Sequence, residues 1–377
     1  MKVLYSCLSK SWGGMEMVTI TGIEQLLKHN IKVELLCLEE SRIQIEANSL
    51  GIIIHPIKSG KTPNLFSSLK ISSIIKSGSF DIIHSHSSKD LWVIVPALNF
   101  LKSRIPLLLT KHIASFINKK NFLHNRIYKR VDCAIAISSF IKKNLIETTS
   151  LKENKIKIIY NGVDLKKFNP DNTDRNKLRT ELGVGENNLL IGLTGRFSPG
   201  KGHENFLLAI NELNKKYPEI KYVIVGEASR GEDEYENKIK KLAKEYGIKN
   251  LTFTGYRTDI PDVLAALDIY VFPSHSESFG VGLIEAMALC KASAASDCDG
   301  VLDIIDDEID GLFFKSKDGY DLAAKTETLI NDMEMRKKLG VNARKKIREK
   351  FDLDVVSGQI INTYEQLIEQ INESIYR

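Results

Sequence analysis

Arg196 and Lys201 stand five residues apart in the run Gly195-Arg196-Phe197-Ser198-Pro199-Gly200-Lys201-Gly202-His203. A fork-shaped guanidinium and a point-charge ammonium on one Gly/Pro-punctuated loop leading into a helix make a metal-free clamp for a diphosphate. A basic surface turn has the same composition, so this loop alone leaves both readings open. The spacing is not that of a P-loop, and no hydroxyl follows the lysine. A second run, Pro273-Ser274-His275-Ser276-Glu277-Ser278-Phe279-Gly280-Val281-Gly282-Leu283-Ile284-Glu285, places two carboxylates eight positions apart around a glycine-led helix start. Helix amides near Gly280 would face a phosphate. Glu285, about one and a half turns on, would accept hydrogen bonds from ribose hydroxyls, and Glu277 would reach a sugar on the other side of the ligand. Carboxylates suit vicinal hydroxyls because they only accept. The plain alternative is a solvent-facing Glu277 and a surface-helix Glu285.

A third run, Ser11-Trp12-Gly13-Gly14-Met15-Glu16, follows the first strand-like segment. Its paired glycines would let helix amides approach an anion, or would simply make a tight turn. It is not Gly-x-Gly-x-x-Gly, which argues against a nicotinamide or flavin enzyme. Asp297-Cys298-Asp299 has the form of a metal-holding acidic pair, a pattern that also arises by chance. The histidines show no metal-ligand spacing. His84 and His86 read as groups capping a strand end, and only His112 reads as functional.

Elements that would position these residues alternate along the chain. Short β-branched or apolar runs recur at 3–7, 33–38, 52–55, 82–84, 107–110, 133–137 and 156–160, then again at 189–194, 222–225, 251–254, 269–272 and 292–295, with helix-period segments between several of them. Strands alternating with helices predict parallel sheets covered on both faces, and two series predict two doubly wound domains. The polar stretch 164–185 reads as the linker. Ligands of such sheets sit beyond the carboxyl ends of the strands, where all three glycine-bearing runs fall. After Phe351 the pattern is helical, with Ile360, Ile361, Tyr364, Leu367 and Ile368 on one stripe.

Composition agrees with a globular pair of domains: 377 residues, 43% apolar, 27% charged. Five scattered cysteines with no Cys-x-x-Cys pair make neither a disulfide framework nor a zinc site. The amino terminus reads as a first β-strand rather than a signal peptide, and no apolar run reaches the roughly 18–20 residues that span a bilayer. The expectation is a cytoplasmic protein, or one peripheral on the inner face of the cytoplasmic membrane. Charge is uneven, since residues 1–165 carry 23 Lys/Arg against 12 Asp/Glu while the remainder is net acidic. Residues 102–130 hold eight basic side chains interleaved with Phe116, Phe122, Leu123, Ile127 and Tyr128, and no acidic one. Such a segment suits anionic lipid headgroups, an anionic acceptor or nucleic acid, or is a solvated helix face. Its local character and the acidic second half argue against nucleic acid.

Gly14-x-Glu16, Gly195-Arg196, Lys201-Gly202 and Glu277-x7-Glu285 with Phe279-Gly280 inside together resemble glycosyltransferase family 4. Asp81-Ile-Ile-His-Ser-His86, Thr110-x-His112, Tyr160-Asn-Gly-Val-Asp164 and Phe253-x-Gly255 fit the same layout, so the resemblance spans nearly the whole chain. It implies an α/β GT-B fold, two doubly wound Rossmann-like domains facing a cleft. Residues 1–165 would bind the acceptor and 166–355 the nucleotide-sugar donor, with a terminal helix at about 356–377 packing back on the first domain. It implies a retaining transferase that needs no metal or other cofactor and uses a nucleoside-diphosphate sugar, UDP-linked by preference, with GDP-mannose the other donor. The acceptor would be a glycan or lipid-linked glycan of envelope polysaccharide or lipopolysaccharide synthesis. Arg196 and Lys201 would hold the diphosphate, Glu285 the ribose and Glu277 the sugar. Gly195 and the backbone of Ser278, Phe279, Gly280 and Val281 would line the donor, Tyr256 and Arg257 would flank the base, and Gly14 would lie under the donor. His112 would sit near the anomeric centre, with Gly13, Glu16 and His86 on the acceptor side. Cys290, Ala292 and Asp299-Gly300 depart from the family pattern, the last on the phosphate side. A nucleotide-sugar epimerase or binding protein of the same architecture is the alternative.

Overall fold

The computed structural model describes residues 1–58, 65–228 and 231–376. The chain forms two compact units, one of Met1–Asn161 with Asp354–Arg377 and the other of Gly162–Leu353. The change of unit thus falls at 161/162 and 353/354, a few residues before each boundary read from the sequence.

In the first unit β1 (Lys2–Cys7), β2 (Lys32–Leu38), β3 (Ile53–Ile57), β4 (Ile82–Ser85), β5 (Leu107–Lys111), β6 (Cys133–Ala136) and β7 (Ile156–Ile158) form one parallel sheet. Its order is β3-β2-β1-β4-β5-β6-β7. Every residue of β4, β5 and β6 is buried, which is why these strands show no alternation of apolar and polar residues. In the second unit β8 (Leu190–Thr194), β9 (Lys221–Val225), β10 (Leu251–Phe253), β11 (Ile269–Phe272), β12 (Ala292–Ser296) and β13 (Leu312–Phe314) form a six-stranded sheet ordered β10-β9-β8-β11-β12-β13. Strand order reverses at the β1/β4 pair, where Val3 lies beside Ile82, and at the β8/β11 pair, where Ile191 lies beside Ile269. Those two places are where a doubly wound sheet opens a crevice at its carboxyl edge.

The terminal helix Leu353–Tyr376 belongs to the first unit from Asp354 on. Val356, Tyr364 and Leu367 enter the core formed by Val3, Tyr5, Ile82 and Leu108, and Ile360, Ile361 and Ile368 pack on its margin. Tyr364 fixes the register of this packing. Its hydroxyl donates to Tyr5 Oη at 3.1 Å and meets His84 Nδ1 at 2.6 Å, while His84 Nε2 meets Thr110 Oγ1 at 2.6 Å. One neutral imidazole tautomer satisfies all three bonds, and burial holds the His84 pKa well below its usual value. The expectation that His84 merely caps a strand end is therefore too small a role. Arg377, the last residue of the helix read from the sequence, lies outside the described residues.

Two other features depart from the sequence reading. The stretch 164–185 is part of the second unit, not a linker: helix Arg175–Glu181 carries a buried Arg179 that donates to the carbonyls of Ala266, Gly185 and Asn188 and to Asp268. Polar composition hid this because one guanidinium has five donors and serves several orphan carbonyls. Strand β13, three residues at the sheet edge, went unread.

Candidate active site

At the switch point of the second unit the chain leaves β8 and stays tied to the β9 side, with Gly195 N donating to Val225 O at 2.9 Å and Phe197 N to Glu227 O at 3.0 Å. Phe197 is buried and stacks on His203 at 4.5 Å, while its neighbour Arg196 is exposed. Gly202 has φ +76°, and a Cβ there would come within 1.9 Å of the Pro273 carbonyl oxygen. No side chain fits so close a contact, so the glycine presses the first cationic loop onto the end of β11. His275 N donates to Gly200 O at 2.7 Å across the same junction. The result is a direct contact between two residues distant in sequence: Lys201 Nζ lies 2.5 Å from Glu277 Oε2.

The loop carrying Glu277 is held from behind. Asp299 Oδ2 accepts from Ser276 Oγ at 2.5 Å and from Glu277 N at 3.3 Å, and Gly300 N donates to Glu277 O at 2.9 Å. Asp297 Oδ1 accepts from Ser316 N at 2.7 Å. Both carboxylates of the Asp-x-Asp pair are thus acceptors that shape loops. Among the described residues no group of three or more His, Cys, Asp or Glu is arranged to hold a metal ion.

Gly280, at φ +125°, starts helix Val281–Ala288, whose first turn has no side-chain cap. Such an end presents unsatisfied amides and the positive end of the helix dipole. Phe279 is buried against Phe351. Glu285, half-buried on this helix, receives no hydrogen bond from any described residue, and burial pushes its carboxyl up to about 7 against the opposing pull of Lys167. Tyr270, on β11, pairs with Thr194 Oγ1 at 2.9 Å. Burial foremost pushes its phenol up against the Thr194 hydrogen bond, and the Glu285 and Glu277 carboxylates add to the rise. Tyr256 is 68% exposed. Arg257 is occupied by ion pairs with Asp259 (2.8 Å) and Glu181 (2.8 Å), a commitment its motif position did not reveal.

Glu285 yields a pH prediction. Its carboxyl titrates near 4.5 when unperturbed and near 7 in the fold, so the folded state holds the extra proton between those values and loses stability as pH rises through them. Glu285→Gln is therefore expected to raise the melting temperature above pH 7 and to leave it unchanged near pH 4. The same change should weaken nucleotide binding. A pH-independent difference in melting temperature would contradict the burial argument.

The first unit has its own chemistry at its switch point. Gly13, extended at φ −166°, caps helix Gly14–Lys28, and a Cβ on Gly14 would meet nothing within 4 Å, so open space lies beside it. Glu16 is buried in the first turn, near Cys7. His86 Nδ1 lies 3.1 Å from His112 Nε2, and the two rings stack at 5.4 Å. Burial, and secondarily Lys111, pushes His112 down to about 3, and burial holds His86 well below its usual value. His112 is therefore neutral at physiological pH, a hydrogen-bonding group and not a cation. Asp90 was missed by the sequence reading. It receives Ser6 Oγ at 2.9 Å and Leu8 N at 3.1 Å, and burial pushes its carboxyl up to about 7. Its position just before the apolar helix Leu91–Phe100 was the available signal.

Comparison with known proteins follows the same lines. Residues 174–346 match the family described as glycosyl transferases group 1, and residues 12–167 the glycosyltransferase family 4. The chain is 27% identical over 315 residues to the N,N'-diacetylbacillosaminyl-diphospho-undecaprenol alpha-1,3-N-acetylgalactosaminyltransferase of Campylobacter jejuni, covering 80% of this chain and 81% of that one. It is 25% identical to an Escherichia coli UDP-Gal:alpha-D-GlcNAc-diphosphoundecaprenol alpha-1,3-galactosyltransferase, with 93% of each covered. Its fold superposes on a glycosyltransferase from Rickettsia africae with a TM-score of 0.89 at 23% identity, over 97% of this chain and 98% of the other.

Proposed function

The chain belongs to the group 1 glycosyltransferases of the family 4 type, with the GT-B fold, and from that premise we propose that it moves a sugar from a nucleoside-diphosphate donor, UDP-linked by preference, to a lipid-linked glycan with retained anomeric configuration. The observation that carries the reading is the β8/β11 crevice, where Lys201 meets Glu277 beside an uncapped helix start and a carboxylate, Glu285, that accepts no hydrogen bond from any described residue. Arg196 and Lys201 take the diphosphate. Lys201 is then shared between phosphate oxygens and Glu277, which turns to the sugar hydroxyls. Glu285 receives the ribose hydroxyls in its ionised form, and the backbone from Ser278 to Val281, with Gly195, faces the phosphates.

In the transfer itself the acceptor oxygen forms a bond to the anomeric carbon as the bond to the diphosphate breaks. The acceptor proton passes to the departing phosphate on the same face. Positive charge spreads over the sugar ring and negative charge over the leaving group, and preorganised cations stabilise the latter. His112 of the first unit, neutral and paired with His86, is a hydrogen-bonding group suited to sugar hydroxyls. In the first unit Gly13 and Glu16, beside Gly14 at the start of its helix, are assigned to the acceptor. Two cations on one loop supply the charge that a divalent ion would otherwise bring, so activity is expected to persist in excess chelator; abolition by EDTA with rescue by magnesium would refute that.

The names of the Campylobacter and E. coli relatives include undecaprenol-linked diphosphates, which supports a lipid-linked acceptor in envelope polysaccharide assembly at the cytoplasmic face of a membrane. A thermal-shift panel of nucleotide-sugars tests the donor, since the correct one stabilises by mass action. Transfer to an undecaprenyl-diphosphate sugar, with the new linkage read by NMR, tests acceptor and stereochemistry. Turnover of a donor without any acceptor, giving an epimer, would favour an epimerase instead.

A further inference from the structure

The basic segment 102–130 does not form one face. Lys102 and Arg104 precede β5 and Arg130 precedes β6, so they stand at the amino edge of the sheet, and Arg130 is already occupied by Asp132 and by the carbonyls of Ser103 and Ile105. Lys111, Lys119 and Lys120 lie at or after the carboxyl end of β5, a strand length of roughly 16 Å away. What accompanies them there is apolar. Phe116 is 88% exposed, Ile117 70%, Ile113 61%, Phe122 78% and Leu123 60%.

These side chains are displayed on an anchored frame. Asn144 and Ser115 exchange hydrogen bonds at 2.8 and 2.9 Å, and Lys119 N donates to Thr148 O at 2.7 Å. Asn121 caps helix Phe122–Lys129, which turns Ile127 and Tyr128 inward and leaves Phe122 and Leu123 outside. No acidic residue occurs from 91 to 131. Burial, and then the charge of Lys119, pushes Lys111 down to about 8, and burial, and then the charge of Lys89, lowers Lys119 as well. Asp90, the acidic group beside Lys89, is fully buried, so the lysines attract anions from outside.

We propose that the 113–123 protrusion is a membrane-docking surface, its apolar side chains entering the interfacial region of an anionic bilayer while Lys119 and Lys120 meet lipid headgroups. The pairing of exposed aromatic and aliphatic side chains with lysines on a short stretch is what an interfacial anchor requires. Soluble proteins seldom leave apolar side chains so contiguous without a partner. The protrusion begins one residue after His112, so docking would bring a lipid-linked acceptor to that edge of the sheet; this consequence rests on the transferase reading, whereas the docking itself does not.

The test is co-sedimentation of the full chain with vesicles of phosphatidylcholine alone and of phosphatidylcholine with phosphatidylglycerol, without donor or acceptor. Wild type is expected to bind the anionic vesicles and to release as salt is raised. Phe116→Ser with Ile117→Ser is expected to lower partition about tenfold or more at every salt concentration. Lys119→Glu with Lys120→Glu should lower it at least as far and remove the preference for phosphatidylglycerol. Phe116, Ile117 and Lys120 are exposed and Lys119 is half-buried, and unchanged melting curves check that both variants fold. Wild type that stays in the supernatant, or variants that bind as it does, would overturn the proposal. So would a dimer that Phe116→Ser with Ile117→Ser renders monomeric, or retention by duplex RNA in place of vesicles. Failure of the transferase reading would show separately, as wild type that no nucleotide-sugar stabilises.

Discussion

Lys201→Ala is expected to lower kcat by about 10²–10³ while the protein stays folded. The lysine side chain is about one-third exposed and its ion pair with Glu277 lies at the surface of the crevice, so its loss should change stability by less than about 1 kcal/mol. Its value to the reaction is larger because charge develops on the leaving phosphate only as the sugar bond breaks, and a fixed ammonium answers it without reorganisation. Glu277→Gln separates the two partners. It frees Lys201 and removes the acceptor for sugar hydroxyls, so donor-sugar selectivity should fall and nucleotide affinity should change little. Steady-state kinetics beside melting curves measure both. A folded Lys201→Ala enzyme turning over near the wild-type rate would remove the lysine from the mechanism.

Tyr364→Ala is expected to destabilise the first unit by about 3–5 kcal/mol, the range for emptying a buried aromatic site. The ring is fully buried and its hydroxyl joins Tyr5 to His84. Tyr364→Phe keeps the ring and strands the His84 Nδ1–H, at about 1–3 kcal/mol for a buried group left unsatisfied. Because His84 stacks on His86 at 4.3 Å, and His86 meets His112, the Phe variant should also disturb the histidine array in NMR spectra. Urea unfolding resolves the two variants. A Tyr364→Ala protein as stable as wild type would mean that the terminal helix does not support this core.

Several of these features were legible in the sequence for identifiable reasons. Buried parallel strands such as β5 announce themselves as unbroken apolar runs, and the terminal stripe from Ile360 to Ile368 keeps a helical period over several turns. The glycines at 202 and 280 marked loops because glycine alone readily takes the positive φ found at both, and at 202 also admits the Pro273 carbonyl. Contacts between distant residues were not legible. Nothing local says that Lys201 will face Glu277 across 76 positions, that Arg257 will be occupied by Glu181, or that Arg179 will satisfy three carbonyls inside an apparent linker. Charge runs mislead for a related reason. A strand in the middle of residues 102–130 sends their lysines and arginines to opposite edges of one sheet, which composition cannot register. Asp90 and Tyr270 escaped notice because their environments, not their neighbours in sequence, give them their properties.

The central claim is that the second unit grips a nucleoside diphosphate between the Lys201 loop and the helix start at Gly280. A crystal structure with UDP bound tests it most directly. The account predicts phosphate oxygens within hydrogen-bonding distance of Lys201 Nζ, ribose hydroxyls on Glu285, and the Lys201–Glu277 contact lengthened or broken. A nucleotide bound at another edge of the fold, with that ion pair intact, would contradict it.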